Sequence, residues 1–372
     1  MRWEKVDIGT LVVLRQGFAI NKNTKHYISD EHTNLPLLRI ADMKDETKNV
    51  FVKDTIPKRF IARPDDIIYT RTGQVGLVFT KLFGVVHNNC FTVSPIDEKV
   101  LSRSYLYYAL KNKEFFEAAN LKATGAAQPD LPHGAFNTIP IYLPPIETQH
   151  RIADILSAYD DLIENNRKQI KLLEEAAQRL YKEWFVDLRF PGHEHTQIVD
   201  GVPEGWEKKQ LSDIVEVKYG KDHKSIPDGN VPVYGSGGLM RKCNQMLYKG
   251  ESVLIPRKGS LNNFIYVDEA FWTVDTMFYT KMKWPNIGVF IYYFIKSFDM
   301  YAMNIGAAVP SMTTNTLNSI NVIIPSCEIL KNFQSTTKVY FRKIELLKRQ
   351  IEMAAQARDR LLPKLMSGEV EV

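Results

Sequence analysis

A heptad pattern that occurs twice constrains this chain more than any other feature. Apolar residues recur at alternating steps of four and three from residue 152 to residue 184, and the pattern returns 181 positions later. Asn166 is the one polar member of the first copy, and Leu347 is its equivalent. The pattern predicts two long helices that pack on each other as a coiled coil. The predicted seam consists of Ile152, Leu156, Tyr159, Ile163, Asn166, Ile170, Leu173, Leu180, Tyr340, Ile344, Leu347, Ile351 and Leu361.

Length and composition fit a globular protein with more than one core. The chain has 372 residues, of which 44% are hydrophobic and 24% are charged. It starts without an apolar signal region, and its longest uncharged apolar run, residues 289–295, is too short to cross a bilayer. These features predict a cytoplasmic protein. The three cysteines are too few and too far apart for a disulfide framework or a zinc site, and the net charge of +5 permits a nucleic-acid partner.

Strand-rich segments precede both predicted helices, and they also repeat. Residues 206–208 repeat the Trp-Glu-Lys of residues 3–5, residues 252–260 resemble residues 67–74, and residues 306–310 match residues 125–129 at the same offset of 181. The order is therefore globule, helix, globule, helix. If the helices are antiparallel, the globules lie at opposite ends of a rod of roughly 50 Å and could read two DNA sites about one helical turn apart. Near the end of the second helix, Pro363 is expected to break or kink it.

Four stretches carry a resemblance to a known family. They are residues 125–129 (Gly-Ala-Ala-Gln-Pro) leading through residues 139–149 into the first helix, residues 180–187 (Leu-Tyr-Lys-Glu-Trp-Phe-Val-Asp), residues 200–206 (Asp-Gly-Val-Pro-Glu-Gly-Trp) and residues 362–369 (Leu-Pro-Lys-Leu-Met-Ser-Gly-Glu). In this order, and with the internal duplication, the sequence resembles the specificity subunit of Type I restriction-modification systems over essentially its whole length.

The resemblance implies an α+β fold. Two α/β target-recognition domains in tandem would be separated by two long antiparallel coiled-coil helices, in a pseudo-two-fold internal repeat. The implied boundaries are recognition domain 1 at residues 1–146, spacer helix 1 at 147–187, a linker at 188–204, recognition domain 2 at 205–325 and spacer helix 2 at 326–367.

The resemblance also implies a non-catalytic subunit that recognises double-stranded DNA. Each recognition domain would read one half of a bipartite site, and the spacer helices would set the gap and bind two methyltransferase (modification) subunits. Those subunits would use S-adenosylmethionine, and added restriction/motor subunits would use ATP and magnesium; this chain would bind no cofactor or metal. The second copy departs from the pattern, because Val309 replaces Gln128 and residues 147–149, Glu-Thr-Gln, have no equivalent.

Polar turns that follow buried strands are the candidate DNA contacts, because a rigid turn can enter a groove. Arginine can bond a guanine edge and glutamine or asparagine an adenine edge, whereas lysine, serine and threonine mostly hold phosphate. The plainer interpretation is a pair of glycine-containing turns with solvated polar side chains. The candidates are Arg71, Thr72 and Gln74 in the first turn, Arg257, Lys258, Ser260, Asn262 and Asn263 in the second, and Arg39 and Lys122 as weaker additions.

Three alternatives are weighed against the specificity subunit of a Type I system. A chain that itself methylates or cuts DNA is disfavoured, because we find no Asn-Pro-Pro-Tyr-like or Asp-Pro-Pro-Tyr-like motif, no glycine-rich S-adenosylmethionine loop and no helicase motif. A coiled-coil assembly protein whose globules bind other proteins is a second possibility. A third is the specificity subunit of a related system that cleaves on both sides of its site; the sequence does not separate it from a Type I subunit.

Overall fold

A computed structural model describes residues 3–302 and 312–372, which form nine α-helices and 21 strands. The helices are α1 (Ile40–Asp45), α2 (Arg103–Lys111), α3 (Lys113–Lys122), α4 (His133–Asn137), α5 (Ile146–Tyr181), α6 (Leu211–Ile214), α7 (Gly288–Lys296), α8 (Thr314–Asn318) and α9 (Cys327–Ser367). The strands are β1 (Lys5–Asp7), β2 (Val12–Gln16), β3 (Ile28–Ser29), β4 (Leu37–Leu38), β5 (Phe51–Val52), β6 (Ile61–Ala62), β7 (Ile67–Thr70), β8 (Val78–Phe79), β9 (Gly84–Val86), β10 (Cys90–Pro95), β11 (Pro140–Tyr142), β12 (Ile198–Val199), β13 (Val202–Pro203), β14 (Glu207–Gln210), β15 (Val215–Tyr219), β16 (Asp228–Gly235), β17 (Gly238–Cys243), β18 (Tyr248–Pro256), β19 (Ile265–Thr273), β20 (Met277–Met282) and β21 (Asn321–Ile324).

Helices α5 and α9 are the two elements that the heptad pattern predicts. Helix α5 continues into a π-helical turn, Lys182–Val186, so the helical backbone ends close to the predicted residue 187. Helix α9 begins after Ser326, whose Oγ accepts a hydrogen bond from the N–H of Ile329 at 3.5 Å. Every predicted seam residue is buried or half-buried. The seam therefore faces protein along both helices.

Of the expected break or kink at Pro363, the break is wrong and the kink stays a prediction. Helix α9 passes through Pro363 and continues to Ser367. It ends at Gly368, which has a φ of 71°, and Glu369 N–H donates to the carbonyl of Lys364 at 3.0 Å. A left-handed glycine cap, rather than the proline, ends the helix.

The chain divides into two compact units, and the boundaries between them fall within the two long helices. Unit 1 comprises residues 1–166 and 350–372, and unit 2 comprises residues 167–349. Each unit thus contains one strand-rich domain, one part of α5 and one part of α9. In unit 1 the start of α5 packs on the end of α9, and in unit 2 the end of α5 packs on the start of α9. The helix segments are therefore antiparallel within each unit, and the predicted α+β fold with two tandem domains is confirmed.

Unit 1 is built on a four-stranded antiparallel sheet in the order β2-β10-β7-β8. Phe91 of β10 lies opposite Gln16 on one side and Tyr69 on the other. Tyr69 and Phe91 are fully buried with Phe136 of α4, and their rings lie 5.0–5.5 Å apart. The same core includes Ile152 of α5 and residues of α9, so the sheet and the helices share one hydrophobic interior.

Unit 2 repeats this sheet and extends it. Its strand order is β15-β20-β18-β19-β16-β17, and the first four strands correspond to β2-β10-β7-β8. Phe278 of β20 lies opposite Tyr219 and Ile255, as Phe91 lies opposite Gln16 and Tyr69. The register therefore aligns β2, β10 and β7 of unit 1 with β15, β20 and β18 of unit 2 around Phe91 and Phe278.

A buried glutamine ties the helices to the domain in each unit. The Oε1 of Gln149 accepts the N–H of Ser102 at 2.8 Å before α2, and the Oε1 of Gln334 accepts the N–H of Val289 at 3.2 Å in the first turn of α7. Both glutamines are at most 2% exposed. Gln334 lies 185 residues after Gln149, one helical turn beyond the offset of 181, which is why the heptad alignment finds no equivalent of residue 149.

Ion pairs add a second tie between each domain and its helix segments. In unit 1 Asp160 of α5 pairs with Arg358 of α9 and accepts the Tyr108 hydroxyl of α2 at 2.8 Å. In unit 2 Lys338 of α9 lies 2.6 Å from Glu251 of β18. These contacts fix the orientation of each sheet on the helix segments of its own unit.

Candidate nucleic-acid interface

A rigid turn follows the central strand of each sheet. In unit 1 the N–H groups of Arg71 and Thr72 both donate to the carbonyl of Asn89, at 2.8 and 3.2 Å, and Leu131 N–H donates to the Arg71 carbonyl at 2.9 Å. These bonds hold the backbone at the end of β7 from both sides. The backbone of the turn is therefore fixed by hydrogen bonds on both sides.

The turn of unit 2 has the same hydrogen bonds. Arg257 and Lys258 N–H donate to the carbonyl of Thr276, at 2.8 and 3.3 Å, and Met312 N–H donates to the Arg257 carbonyl at 3.0 Å. Arg71 lies two residues beyond Tyr69, and Arg257 lies two residues beyond Ile255, which occupies the same place in the sheet. Arg71 and Arg257 are therefore structural equivalents.

A glycine lies beside each turn, at Gly17 and Gly220, and belongs to a short sequence repeat that the sequence analysis did not identify. A Cβ on Gly17 would lie 2.2 Å from the carbonyl oxygen of His87, and a Cβ on Gly220 would lie 2.0 Å from that of Val274. Only glycine fits at these two positions. The residues before them, Gln16 and Tyr219, end β2 and β15 and contact the turn arginines. The signal is the basic-polar-glycine triplet at residues 15–17 and 218–220, 203 positions apart like Trp3 and Trp206.

In unit 1 the side chain of Arg71 is half-buried, and each of its guanidinium nitrogens donates a hydrogen bond within the protein. Its Nη2 lies 2.7 Å from Asp130 Oδ2, its Nε lies 3.2 Å from Asp130 Oδ1, and its Nη1 donates to Gln16 Oε1 at 3.3 Å. The Thr72 hydroxyl donates to the same carboxylate at 2.5 Å. Hydrogen bonds from Arg71 and Thr72 hold the pKa of Asp130 below its usual range. Arg71 and Thr72 thus join their turn to Asp130.

The loop at residues 125–129 lies against the same turn. Gly73 N–H donates to the Pro129 carbonyl at 2.8 Å, and Thr124 and Asp130 exchange two backbone hydrogen bonds of 2.8 Å. Lys122, the exposed last residue of α3, leads into this loop, and Gln74 is exposed in the turn. The structure therefore brings Arg71, Thr72 and Gln74 together with the family-like loop at the end of β7. The second copy of that loop, residues 306–310, lies outside the described residues.

Arg39 is held by a partner of its own. Its Nη2 donates to Asp42 Oδ1 at 3.0 Å, and Asp42 is only 3% exposed. Hydrogen bonds from Thr47 and Asn49 complete the surroundings of that carboxylate. Arg39 therefore stabilises the start of α1, and this contact explains its place in the fold without DNA.

In unit 2 the candidates divide into two groups. Asn262 Nδ2 donates to Asp299 at 2.9 Å while its Oδ1 accepts Met300 N–H, and Asn263 Nδ2 donates to the carbonyl of Ser236 at 2.8 Å. These amides fasten the loop rather than project from it. Lys258 and Ser260 are exposed. Arg257 is half-buried, with its guanidinium carbon 5.4 Å from the centre of the Tyr219 ring.

Neither a membrane span nor a metal site is found in the part of the chain that the structure describes. Within residues 3–302 and 312–372 no helix is long and apolar enough to cross a bilayer, and no group of three or more His, Cys, Asp or Glu side chains could hold a metal ion.

Two equivalent polar turns, each on its own sheet and each tied to a helix pair, define a protein with duplicated candidate nucleic-acid interfaces. Residues 1–175 and 203–355 both match the family model of the Type I restriction modification DNA specificity domain, so the chain belongs to this family. Members of the family are DNA-recognition subunits. The match confirms the predicted specificity subunit and gives no support to a general coiled-coil assembly protein.

Individual relatives agree with the family match over most of their length. The chain is 28% identical to the Type I restriction enzyme MjaIX specificity subunit of Methanocaldococcus jannaschii, covering 82% of this chain and 78% of that protein. It is 25% identical to the MjaVIII specificity subunit of the same organism, covering 100% and 93%. The crystal structure of the Type I restriction-modification S subunit from M. genitalium superposes with a TM-score of 0.67 at 20% identity, covering 98% of this chain and 96% of that one, which supports the fold.

Proposed function

We propose that each strand-end turn faces one half of a bipartite DNA site and that the helix pair sets the unread gap between the halves. The observation that carries this proposal is the residue-by-residue equivalence of the two turns on two equivalent sheets. A turn whose backbone is held from both sides loses little conformational entropy when its side chains meet a groove. In this assignment residues 1–146 and 205–325 are the recognition domains, residues 147–187 and 326–367 are the spacer helices, and residues 188–204 are the linker.

The helix lengths suit a spacing role. Helix α5 has 36 residues and α9 has 41, which correspond to roughly 54 and 62 Å at 1.5 Å per residue. Because the heptad seam has no gap, such a pair bends little and keeps a fixed length. The gap between the half-sites would then depend on helix length and not on the recognition domains.

The partners follow from the same assignment. Two methyltransferase subunits would dock on the helices and methylate adenine with S-adenosylmethionine, and restriction/motor subunits would use ATP and magnesium in the complete cytoplasmic complex. This chain would provide the DNA sequence specificity of the complex and would catalyse no reaction itself.

Exposed apolar side chains on the helices of unit 2 support a docking role. Leu172, Val339 and Leu346 are 64%, 61% and 55% exposed, and the last two are one heptad apart on α9. Apolar residues at heptad spacing outside the seam are typical of a helix that receives another helix. We therefore place a modification-subunit contact on this outer face of α9.

A paired glutamate variant tests the docking. Val339→Glu combined with Leu346→Glu should weaken binding of the modification subunit at least about tenfold, because two charges would enter an apolar contact. Native mass spectrometry of the co-expressed proteins counts the bound subunits. The control, Gln356→Glu, adds a charge at an exposed polar position of α9 that lies about 80–100° around the helix from Val339 and Leu346, and it should bind normally. Full binding by the first variant would remove this face from the interface.

A further inference from the structure

The two turn arginines occupy equivalent places but differ in charge balance. Asp130 neutralises Arg71 with two hydrogen bonds from the guanidinium. The residue equivalent to Asp130 in the second copy, 181 positions later, is Ser311. No described carboxylate forms an ion pair with Arg257, and residues 303–311, which lie outside the described part, contain no acidic residue in the sequence. Arg257 therefore has no carboxylate partner among the described residues, whereas Arg71 has one.

The surroundings of Arg257 also leave hydrogen-bond donors unused. Its Nη1 donates to the carbonyl of Asp275 at 3.3 Å, and Nε and Nη2 have no partner among the described residues. The Tyr219 ring under the guanidinium is 51% exposed. The aromatic ring restrains the plane of the guanidinium by a cation–π contact, so the Nε and Nη2 donors, which no described residue accepts, are held in a defined plane.

Two exposed lysines adjoin Tyr219-Gly220 and Arg257 in the sequence, and neither has an ion pair with a described carboxylate. Lys221 follows the Tyr219-Gly220 pair, and Lys258 follows Arg257; both are exposed, and no described carboxylate pairs with either. Unit 2 thus offers one guanidinium held over a ring, one flexible lysine in the same turn and a second flexible lysine just after β15. A planar pair of donors matches the O6 and N7 acceptors of guanine in the major groove, while flexible lysines suit phosphates.

We propose that Arg257 reads a guanine in one half-site, whereas Arg71 is a positioning residue that braces the turn of the other domain through Asp130. The inference rests on the proposed function. It divides two equivalent arginines into a DNA contact and an internal brace, so the two domains do not use this position in the same way.

Methylation motifs of variant complexes test the proposal. Arg257→Ala should relax one guanine-specifying position of one half-site, lowering discrimination there by about tenfold or more, and leave the other half-site unchanged. Arg257→Lys should relax the same position, since it keeps the charge but loses the planar pair of donors. The measurement is single-molecule mapping of methylated adenines in cells that carry the chain with its modification partner, with the thermal midpoint of each purified variant as a folding check.

A second set of variants tests the ion pair between Arg71 and Asp130. Arg71→Ala, Asp130→Ala and the double variant should weaken the other half-site at all its positions to about the same degree, because the two side chains act as one unit. Arg71→Lys should restore part of the loss by pairing with Asp130.

Three results would overturn the proposal. An unchanged motif in Arg257→Ala would remove Arg257 from the DNA, and uniform weakening that Arg257→Lys restores would assign it to a phosphate. Relaxation of a single position by Arg71→Ala, without the same effect in Asp130→Ala, would make Arg71 a reader. A wild-type complex without a two-part motif would instead refute the proposed function itself.

Discussion

Leu347→Ala should lower the free energy of unfolding by roughly 2–5 kcal/mol, the range for emptying a fully packed leucine site. Leu347 is 1% exposed in the predicted seam, and the cavity left by the substitution would lie in the helix interface. The neighbouring Leu346 is 55% exposed on the same helix. Leu346→Ala should therefore cost less than about 1 kcal/mol, because little packing is lost.

Urea unfolding followed by circular dichroism measures this difference between two identical residue types. The pair tests the phase of the seam, because one step along α9 rotates a side chain by about 100°. Equal losses for the two variants would show that the seam does not follow the heptad pattern. A larger loss for Leu346→Ala would place the helix interface on the face that carries Leu346.

One heptad inserted into both helices should lengthen the unread gap of the DNA site by about two to three base pairs and leave both half-sites unchanged. Seven residues add roughly 10 Å to a helix, against about 3.4 Å per base pair of duplex. Insertion between Asn166 and Arg167 in α5, and between Arg349 and Gln350 in α9, keeps units 1 and 2 whole. The methylated motif reports both the gap and the half-sites.

Insertion length and symmetry provide the controls for the helix experiment. Five residues in each helix would rotate the seam by about 140° and should abolish methylation, although the added length is similar. A heptad in one helix alone should also abolish it, because the helices would no longer match. A changed half-site in the two-heptad variant would mean that the helices take part in base recognition.

The helices were predictable because their periodicity is local. A seam needs only an apolar residue at every third or fourth position, and packing along α5 and α9 imposes the same rule at each turn. The two exceptions are positions where one residue determines the local structure. The cap at Gly368 ends α9 in place of Pro363, and the buried Gln334 lies one turn away from the position that the repeat indicates.

The site was only partly predictable because its contacts join distant parts of the chain. The arginine and glycine turns were visible as polar segments after buried strands, and each follows an inner strand of its sheet. Arg71 and Asp130 are 59 residues apart, so their ion pair leaves no local signal. Asn262 and Asn263 are of a residue type that can bond an adenine edge. In the structure, however, their side-chain amides donate hydrogen bonds that hold a loop in place.

The most direct measurement is the map of methylated adenines in a host without other adenine methylation, after expression of this chain with its modification partner. Two recognition domains on one helix pair predict a single two-part motif with a fixed unread gap and one methylated adenine on each strand. A short contiguous motif, or no methylation from a complex that assembles fully, would contradict the account, because at least one strand-end turn would then not read DNA.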